Sequence, residues 1–405
     1  MYQYHTLGNG LRIILSHTPS RVVYSGVYVG VGSRDEFGRD EGIAHFVEHS
    51  IFKGTTHRRA HHILNRIDGV GGELNAFTTK EETCIYASSM SEHLERCLEL
   101  FADVLFCSTF PDNEIAREKE VVVEEIDSYN DSPAELIYDH FEQLAFDGHP
   151  LAHNILGTKH SVRRFTSERL RQRMAECYVP SRMVVSVVGN VDFDRLVRLC
   201  ERHFGAYASH PVDDTRTVAP VVHPFEQHLH RRTHQTHLLL GCEAPSLYDS
   251  QKTAFTLLNN MLGGPAMNSR LGVAVRERYG FCYTVESQYV PFSDSGLFYI
   301  YAGVAPSAGQ RTVDLIKAEL ARLCSDRLTP RALRAAQQQF VGQMAIQADI
   351  GMNEMQSIGK AYLSFDHVDS LEEMTADIMS LTPDALLAAA QQYLAPDKLS
   401  LLVYN

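Results

Sequence analysis

Residues 174–190 read MAECYVPSRMVVSVVGN, and residues 389–405 read AAQQYLAPDKLSLLVYN. Each leaves a helix end through a tyrosine, meets a proline and a basic residue, and enters an apolar run. Proline stops the helix, and the β-branched or leucine-rich run suits a buried strand. The same phrase closing each half of the chain predicts a duplication. A second echo lies upstream. NAFTTKEETCIYASSM (75–90) leads into a helix from Ser91 with Leu94, Leu98, Phe101 and Leu105 on one face. ESQYVPFSDSGLFYIYAGV (286–304) leads into a helix with Val313, Ile316, Leu320 and Leu323 similarly placed. Each block predicts two neighbouring strands and a covering helix. The fold class is therefore α+β: two related domains, each a largely antiparallel sheet with helices packed on one face.

The join falls in HPVDDTRTVAPVVHPFEQ (210–227), which has three prolines and no periodicity. It divides the chain into residues 1–208, a linker over 209–227, and residues 228–405. A chain of 405 residues is too long for one ordinary core, which agrees with that division. An apolar fraction of 44% and a charged fraction of 21% are those of a soluble globular protein. No apolar stretch is long enough to span a bilayer, and the N-terminus lacks the pattern of a signal peptide. Eight scattered cysteines without a CxxC pair read as small core hydrophobes, and a reduced, cytoplasmic setting is expected. A net charge of −13 argues against nucleic acid as a partner. Acidic groups gathered in a cleft would favour basic ligands, and a well-solvated acidic surface is the plainer alternative.

The first half also holds residue types that bind metals. In GIAHFVEHSIFKG (42–54), His45, Glu48 and His49 stand at i, i+3 and i+4 with no breaker between them. On a helix they share one face. Two imidazoles on adjacent turns suit Zn²⁺, and a carboxylate beside them can take a proton from water at the metal. This inverted His-x-x-Glu-His order is a zinc-peptidase arrangement. With twenty histidines in the chain, chance is the competing explanation. A catalytic zinc takes three protein ligands and keeps one open position, so a third ligand must come from elsewhere. PDNEIAREKEVVVEEIDSYND (111–131) starts a helix at Pro111–Asp112 and carries an apolar stripe of Ile115, Val122 and Ile126. Glu118 and Glu125 lie two turns apart on one stripe, with Glu120 and Glu124 facing elsewhere. Metal ligation and an acidic solvated face both fit that helix.

The longer stretch GSRDEFGRDEGIAHFVEHSIFKGTTHR (32–58) resembles the signature of the pitrilysin/insulinase family of zinc metallopeptidases, which includes mitochondrial processing peptidase. The likeness covers essentially the whole chain and is nearest to half-length, processing-peptidase-like members. In that family the third ligand lies in a Glu-x-x-V/I-x-x-x-Glu pattern. Here Glu118 and Glu125 match it, with 75 residues between His49 and Glu125. The resemblance thus implies zinc held by His45, His49 and Glu125, Glu48 as the base, and Glu118 as a neighbouring carboxylate of undetermined role.

It implies more about substrate. An edge strand containing Asn75 and Ala76 would pair with an extended peptide; the plainer reading of Asn75 is a turn cap. In LGGPAMNSRLGVAVRERYGFCYTVES (262–287) a Gly-rich loop, altered by Pro265, precedes Arg276 and Tyr283, seven residues apart. In active relatives this pair reaches toward the zinc site, the phenol donating to the oxyanion and the Arg fixing a peptide carbonyl. The second half has no His-x-x-Glu-His of its own, so it would complete the pocket without binding metal. The expected protein is a zinc-dependent endopeptidase acting on unfolded peptides in a closed chamber. A non-catalytic peptide-binding or assembly subunit is the alternative. Two copies would complete the enclosure as a homodimer, or one copy would pair with an inactive relative. Residues 1–208 alone would bind zinc and hydrolyse almost nothing.

Overall fold

The computed structural model describes residues 2–213, 215–231 and 233–405. Its contacts divide into two compact units. Unit 1 comprises the chain up to Asp127, His153–Arg216 and Ala345–Ser370, and unit 2 comprises Ser128–Ala152, Thr217–Met344 and Leu371–Asn405. Unit 1 is built on β1 (Tyr2–Thr6), β2 (Arg12–His17), β3 (Val22–Val29), β4 (Glu73–Thr78), β5 (Thr83–Met90) and β6 (Met183–Gly189). They form one sheet in the order β1-β2-β6-β3-β5-β4. Unit 2 is built on β7 (Glu226–Leu229), β8 (Thr236–Glu243), β9 (Cys282–Pro291), β10 (Gly296–Val304) and β11 (Ser400–Tyr404). Their order is β7-β11-β8-β10-β9.

Apart from β1, which has no counterpart in unit 2, the pairing is duplicated. β2–β6 and β7–β11 are the parallel pairs, and every other neighbouring pair is antiparallel. The two repeated Tyr–Pro phrases lead into β6 and β11, and the second echo forms the β4–β5 and β9–β10 hairpins. The strands β4 and β9 occupy equivalent edges.

Helices lie on both faces of each sheet, not on one. β6, MVVSVVG, is buried along its whole length. With side chains alternating across a strand, Met183, Val185 and Val187 enter the large core of unit 1. Val184 and Val188 enter a second cluster with Ile14, Tyr28, Met355, Ile358 and Tyr362. The last three belong to the Gly351–Phe365 helix, drawn from the far half of the chain. Gly359 lets that helix lie directly on the sheet, because a Cβ there would sit 2.6 Å from the Tyr28 ring. Unit 2 repeats the device in reverse. Phe298, Ile300 and Ala302 of β10 face its main core, while Leu297, Tyr299 and Tyr301 pack with Ile137 and Phe141 of the Pro133–Ala145 helix.

Two consecutive halves therefore do not describe the units. Each borrows a helix-bearing segment from the other half, because a central strand apolar on both faces needs cover on both. The Pro-rich stretch 209–227 has no helix or strand among its described residues until β7 begins at Glu226, and the unit boundary falls inside it, between Arg216 and Thr217. All eight cysteines are free. No helix among the described residues is long and apolar enough to cross a membrane.

Candidate metal centre

His45, Glu48 and His49 lie on the Ile43–Ser50 helix. Its other face sends Ile43, Phe46 and Val47 into the core of unit 1, so the polar face is held outward by packing behind it. Glu125 comes from the Asp112–Asn130 helix, anchored by Ile115, Val122 and Ile126. The two helices bring the sequence-predicted ligands together. The His45 Nε2 lies 3.9 Å from Glu125 Oε1, and the His49 Nε2 lies 3.5 Å from Glu125 Oε2. One donor atom from each of the three residues falls within 4.8 Å of the others.

These residues fit zinc. Metal–ligand bonds of about 2.0–2.1 Å in a tetrahedron place neighbouring donors about 3.4 Å apart, close to the spacings here. Glu125 Oε2 is buried without a hydrogen-bond partner, although a buried carboxylate oxygen ordinarily has one. His45 is held neutral, its pKa lowered to about 3 by burial and then by the neighbouring His49. A neutral imidazole is the form that donates a lone pair to a metal.

Glu118 now has a place. It is buried, accepts from His49 Nδ1 at 2.9 Å, and pairs with Lys53 Nζ at 2.6 Å. A donor bond from Nδ1 leaves Nε2 of His49 with its lone pair toward Glu125, and fixes the ring's orientation. Burial would raise the Glu118 pKa, but the bonds from His49 and Lys53 outweigh it and hold the carboxylate ionised. Burial opposes charge on His49 too, yet Glu118, Glu125 and Glu48 together draw its pKa upward. The pocket is thus an anionic setting that a divalent cation would neutralise.

Glu48 sits beside the pair with its pKa raised, by burial first and also by the charge of Glu125, against the opposing effects of Thr78 and His49. Thr78 Oγ1 donates to Glu48 Oε2 at 2.7 Å, which leaves Oε1 as the oxygen to accept a further proton. Thr78 is the last residue of β4, the free edge of the sheet. Sequence reasoning did not single it out, although it stands in the quoted strand two residues after Ala76. Asn75 is exposed on the same edge, and its Oδ1 accepts from Ala76 N–H at 2.8 Å. The Ala76 donor is therefore engaged by its neighbour within β4, and Asn75 caps no turn there.

Arg276 and Tyr283 lie in unit 2. Both line a cleft of about 490 Å³ with Gly263, Gly264, Pro265 and the start of β9. Arg276 is the penultimate residue of a π-helical stretch, Gly272–Glu277, and pairs with Glu277 at 2.9 Å. Tyr283 is 90% exposed. Single π turns of this kind recur at functional sites.

Comparison with known proteins shows the family and the fold. Residues 12–159 match the family model described as insulinase (peptidase family M16), and residues 164–340 match that described as peptidase M16 inactive domain. An uncharacterized zinc protease of Bacillus subtilis is 35% identical over 98% of this chain and 97% of its own length. One from Mycobacterium leprae is 35% identical over 96% of this chain and 88% of its own length. Among solved structures, a protease from Helicobacter pylori superposes with a TM-score of 0.94 at 22% identity, covering 100% of this chain and 99% of that one. An M16 inactive-domain structure from Pseudomonas fluorescens gives 0.92 at 21% identity, over 100% and 98%. The fold is the two-unit architecture of those structures, and the chain belongs to the insulinase (M16) family of peptidases.

Proposed function

We propose that this chain is a zinc-dependent endopeptidase, with the metal held by His45, His49 and Glu125 and with Glu48 as the base. The observation that carries it is the convergence of two imidazole Nε2 atoms and a buried, unpartnered carboxylate oxygen beside a second carboxylate with a free oxygen. Zinc, when bound, supplies Lewis acidity toward a carbonyl and makes water more acidic. Glu48 accepts the proton of the attacking water and delivers it to the leaving amine. Thr78 holds the base in one orientation, and Glu118 holds His49. The edge strand β4, apart from the Ala76 N–H that Asn75 engages, offers main-chain groups to an extended segment, which supports unfolded peptides as substrates. A closed chamber formed by two copies of the chain completes the proposal. The non-catalytic alternative is disfavoured because the whole ligand set and its base come together.

Purified protein should contain one zinc per chain and cut unstructured basic peptides, with chelation abolishing cleavage and zinc restoring it. The same preparation should weigh about twice the chain mass in light scattering. Zinc-loaded protein that cleaves no member of a broad peptide library would sink the peptidase reading.

For Arg276 and Tyr283 we propose peptide contacts, on the strength of the family resemblance and their shared cleft. Tyr283→Phe should lower kcat by about 10²–10³ with little change in KM, as loss of an oxyanion donor does. Full kcat in zinc-replete Tyr283→Phe protein would strip the phenol of that role.

A further inference from the structure

The ligand-bearing helix begins without a cap of its own. Its N-cap is Gly42, with φ +85° and no side chain to offer. The first N–H groups of any helix lack partners within it. Here the Asp40 carbonyl accepts from Ile43 N–H at 2.9 Å, and Glu36 meets the N–H groups on either side of it. Its Oε2 accepts from Gly42 N–H at 2.8 Å and its Oε1 from Ala44 N–H at 2.8 Å. Glu36 is 1% exposed. The second of these bonds lands on the residue immediately before His45.

The grip is itself braced. Arg173 donates to the Asp35 carbonyl at 2.9 Å, and Arg216 pairs with both Asp35 oxygens at 2.8 and 3.1 Å. On the far side, Gly42 lies against Gly157. A Cβ on Gly42 would fall 2.7 Å from the Gly157 Cα, and one on Gly157 would fall 2.4 Å from the Glu41 carbonyl oxygen. Only glycines permit that backbone crossing. The helix start is therefore clamped between a carboxylate and a neighbouring main chain.

A buried carboxylate is a costly cap. Burial pushes the Glu36 pKa up, while the two backbone bonds and the charges of Arg173 and Lys80 oppose that and favour the ionised form that accepts both N–H groups. A Ser, Thr or Asp beside the helix would satisfy a free N–H at less expense. What Glu36 adds is a two-point grip that fixes both the axial position and the rotation of the helix.

We propose that Glu36 is a positioning residue for the metal centre, presetting the imidazoles of His45 and His49 toward Glu125 by holding the N–H groups of Gly42 and Ala44. This rests on the reading of those three residues as the zinc ligands. Groups that orient metal ligands from behind typically cost about 10–100-fold in metal affinity when removed, and Glu36→Gln should weaken zinc binding by that much. The amide keeps the shape but offers one acceptor and points N–H at N–H at the other contact.

Zinc affinity is measured by competition with a chromogenic chelator on folded full-length protein, alongside the thermal melt of the apo form and the visible spectrum with Co²⁺ in place of zinc. A weakened affinity with an altered cobalt spectrum is the expected result. A cap that served stability alone would lower Tm and leave affinity and spectrum as in the parent, and that result would overturn the inference. Should Glu36→Gln not fold, Glu36→Asp carries the test, since it keeps the charge but reaches only one of the two N–H groups. If the parent itself bound no zinc, the metal-centre reading would fall and take this inference with it. If the parent bound zinc and the folded variants bound it equally well, only the inference would fall.

Discussion

Glu48→Gln protein is expected to bind zinc as tightly as the parent and to lose nearly all peptidase turnover. Glu48 is no part of the three-residue cluster that fits the ion, so the change leaves the ligand set alone. The shape of the side chain is kept, and a glutamine oxygen can still accept from Thr78, as Glu48 Oε2 does at 2.7 Å. The other arm then presents an NH₂ where the carboxylate had a free oxygen. An amide donates there and cannot accept a proton at neutral pH. General-base participation contributes about 10²–10⁴ in rate, and this base also returns the proton to the leaving amine, so the upper end of that range is expected in kcat. Zinc content and kcat are measured on the same preparation. A zinc-loaded Glu48→Gln enzyme with near-normal kcat would take Glu48 out of the chemistry.

The second large effect is on folding. Residues 1–208 expressed alone should form no stable unit and bind no zinc, which replaces the expectation of a folded but inactive zinc-binding half. That fragment lacks the Gly351–Phe365 helix, whose Met355, Ile358 and Tyr362 cover Ile14, Tyr28, Val184 and Val188 of the sheet. Uncovering the three aliphatic side chains alone costs roughly 1.5–3 kcal/mol each, of the order of the ~5–15 kcal/mol net stability of a whole domain. The polar ties go too. Lys360 pairs with buried Glu82 at 2.8 Å, and Ser186 Oγ donates to the Met355 carbonyl at 2.7 Å. Leaving such groups buried and unpaired is costly. Circular dichroism and a thermal melt decide the matter. A cooperative melt with bound zinc in the fragment would show that the borrowed helix is dispensable.

The helix of His45, Glu48 and His49 was legible because its signal is local. His45, Glu48 and His49 fall on one face by helical spacing, and Ile43, Phe46 and Val47 mark the buried face. The duplication was legible for the same reason, since a proline between a helix end and an apolar run reads alike in both halves. The carboxylate that joins them was less so. Spacing placed Glu118 and Glu125 on one stripe and could not rank them; family resemblance chose Glu125. The fold then gave the two different tasks, one carboxylate facing both Nε2 atoms and the other behind His49 Nδ1.

What the chain's own order determined was its secondary structure, its repeat and the residue types gathered on one helix, all consequences of periodicities over a few residues. Only the tertiary structure set Glu125 before both Nε2 atoms and Glu118 behind His49 Nδ1. It also seated Thr78 on Glu48 across 30 residues and Glu36 behind the helix start. And it covered each sheet with a helix from the other half. An amphipathic helix states that it has an apolar face and not which sheet will receive it. Likewise, a carboxylate's partners depend on where packing sets it, because hydrogen bonds act over about 3 Å in space whatever the distance along the chain.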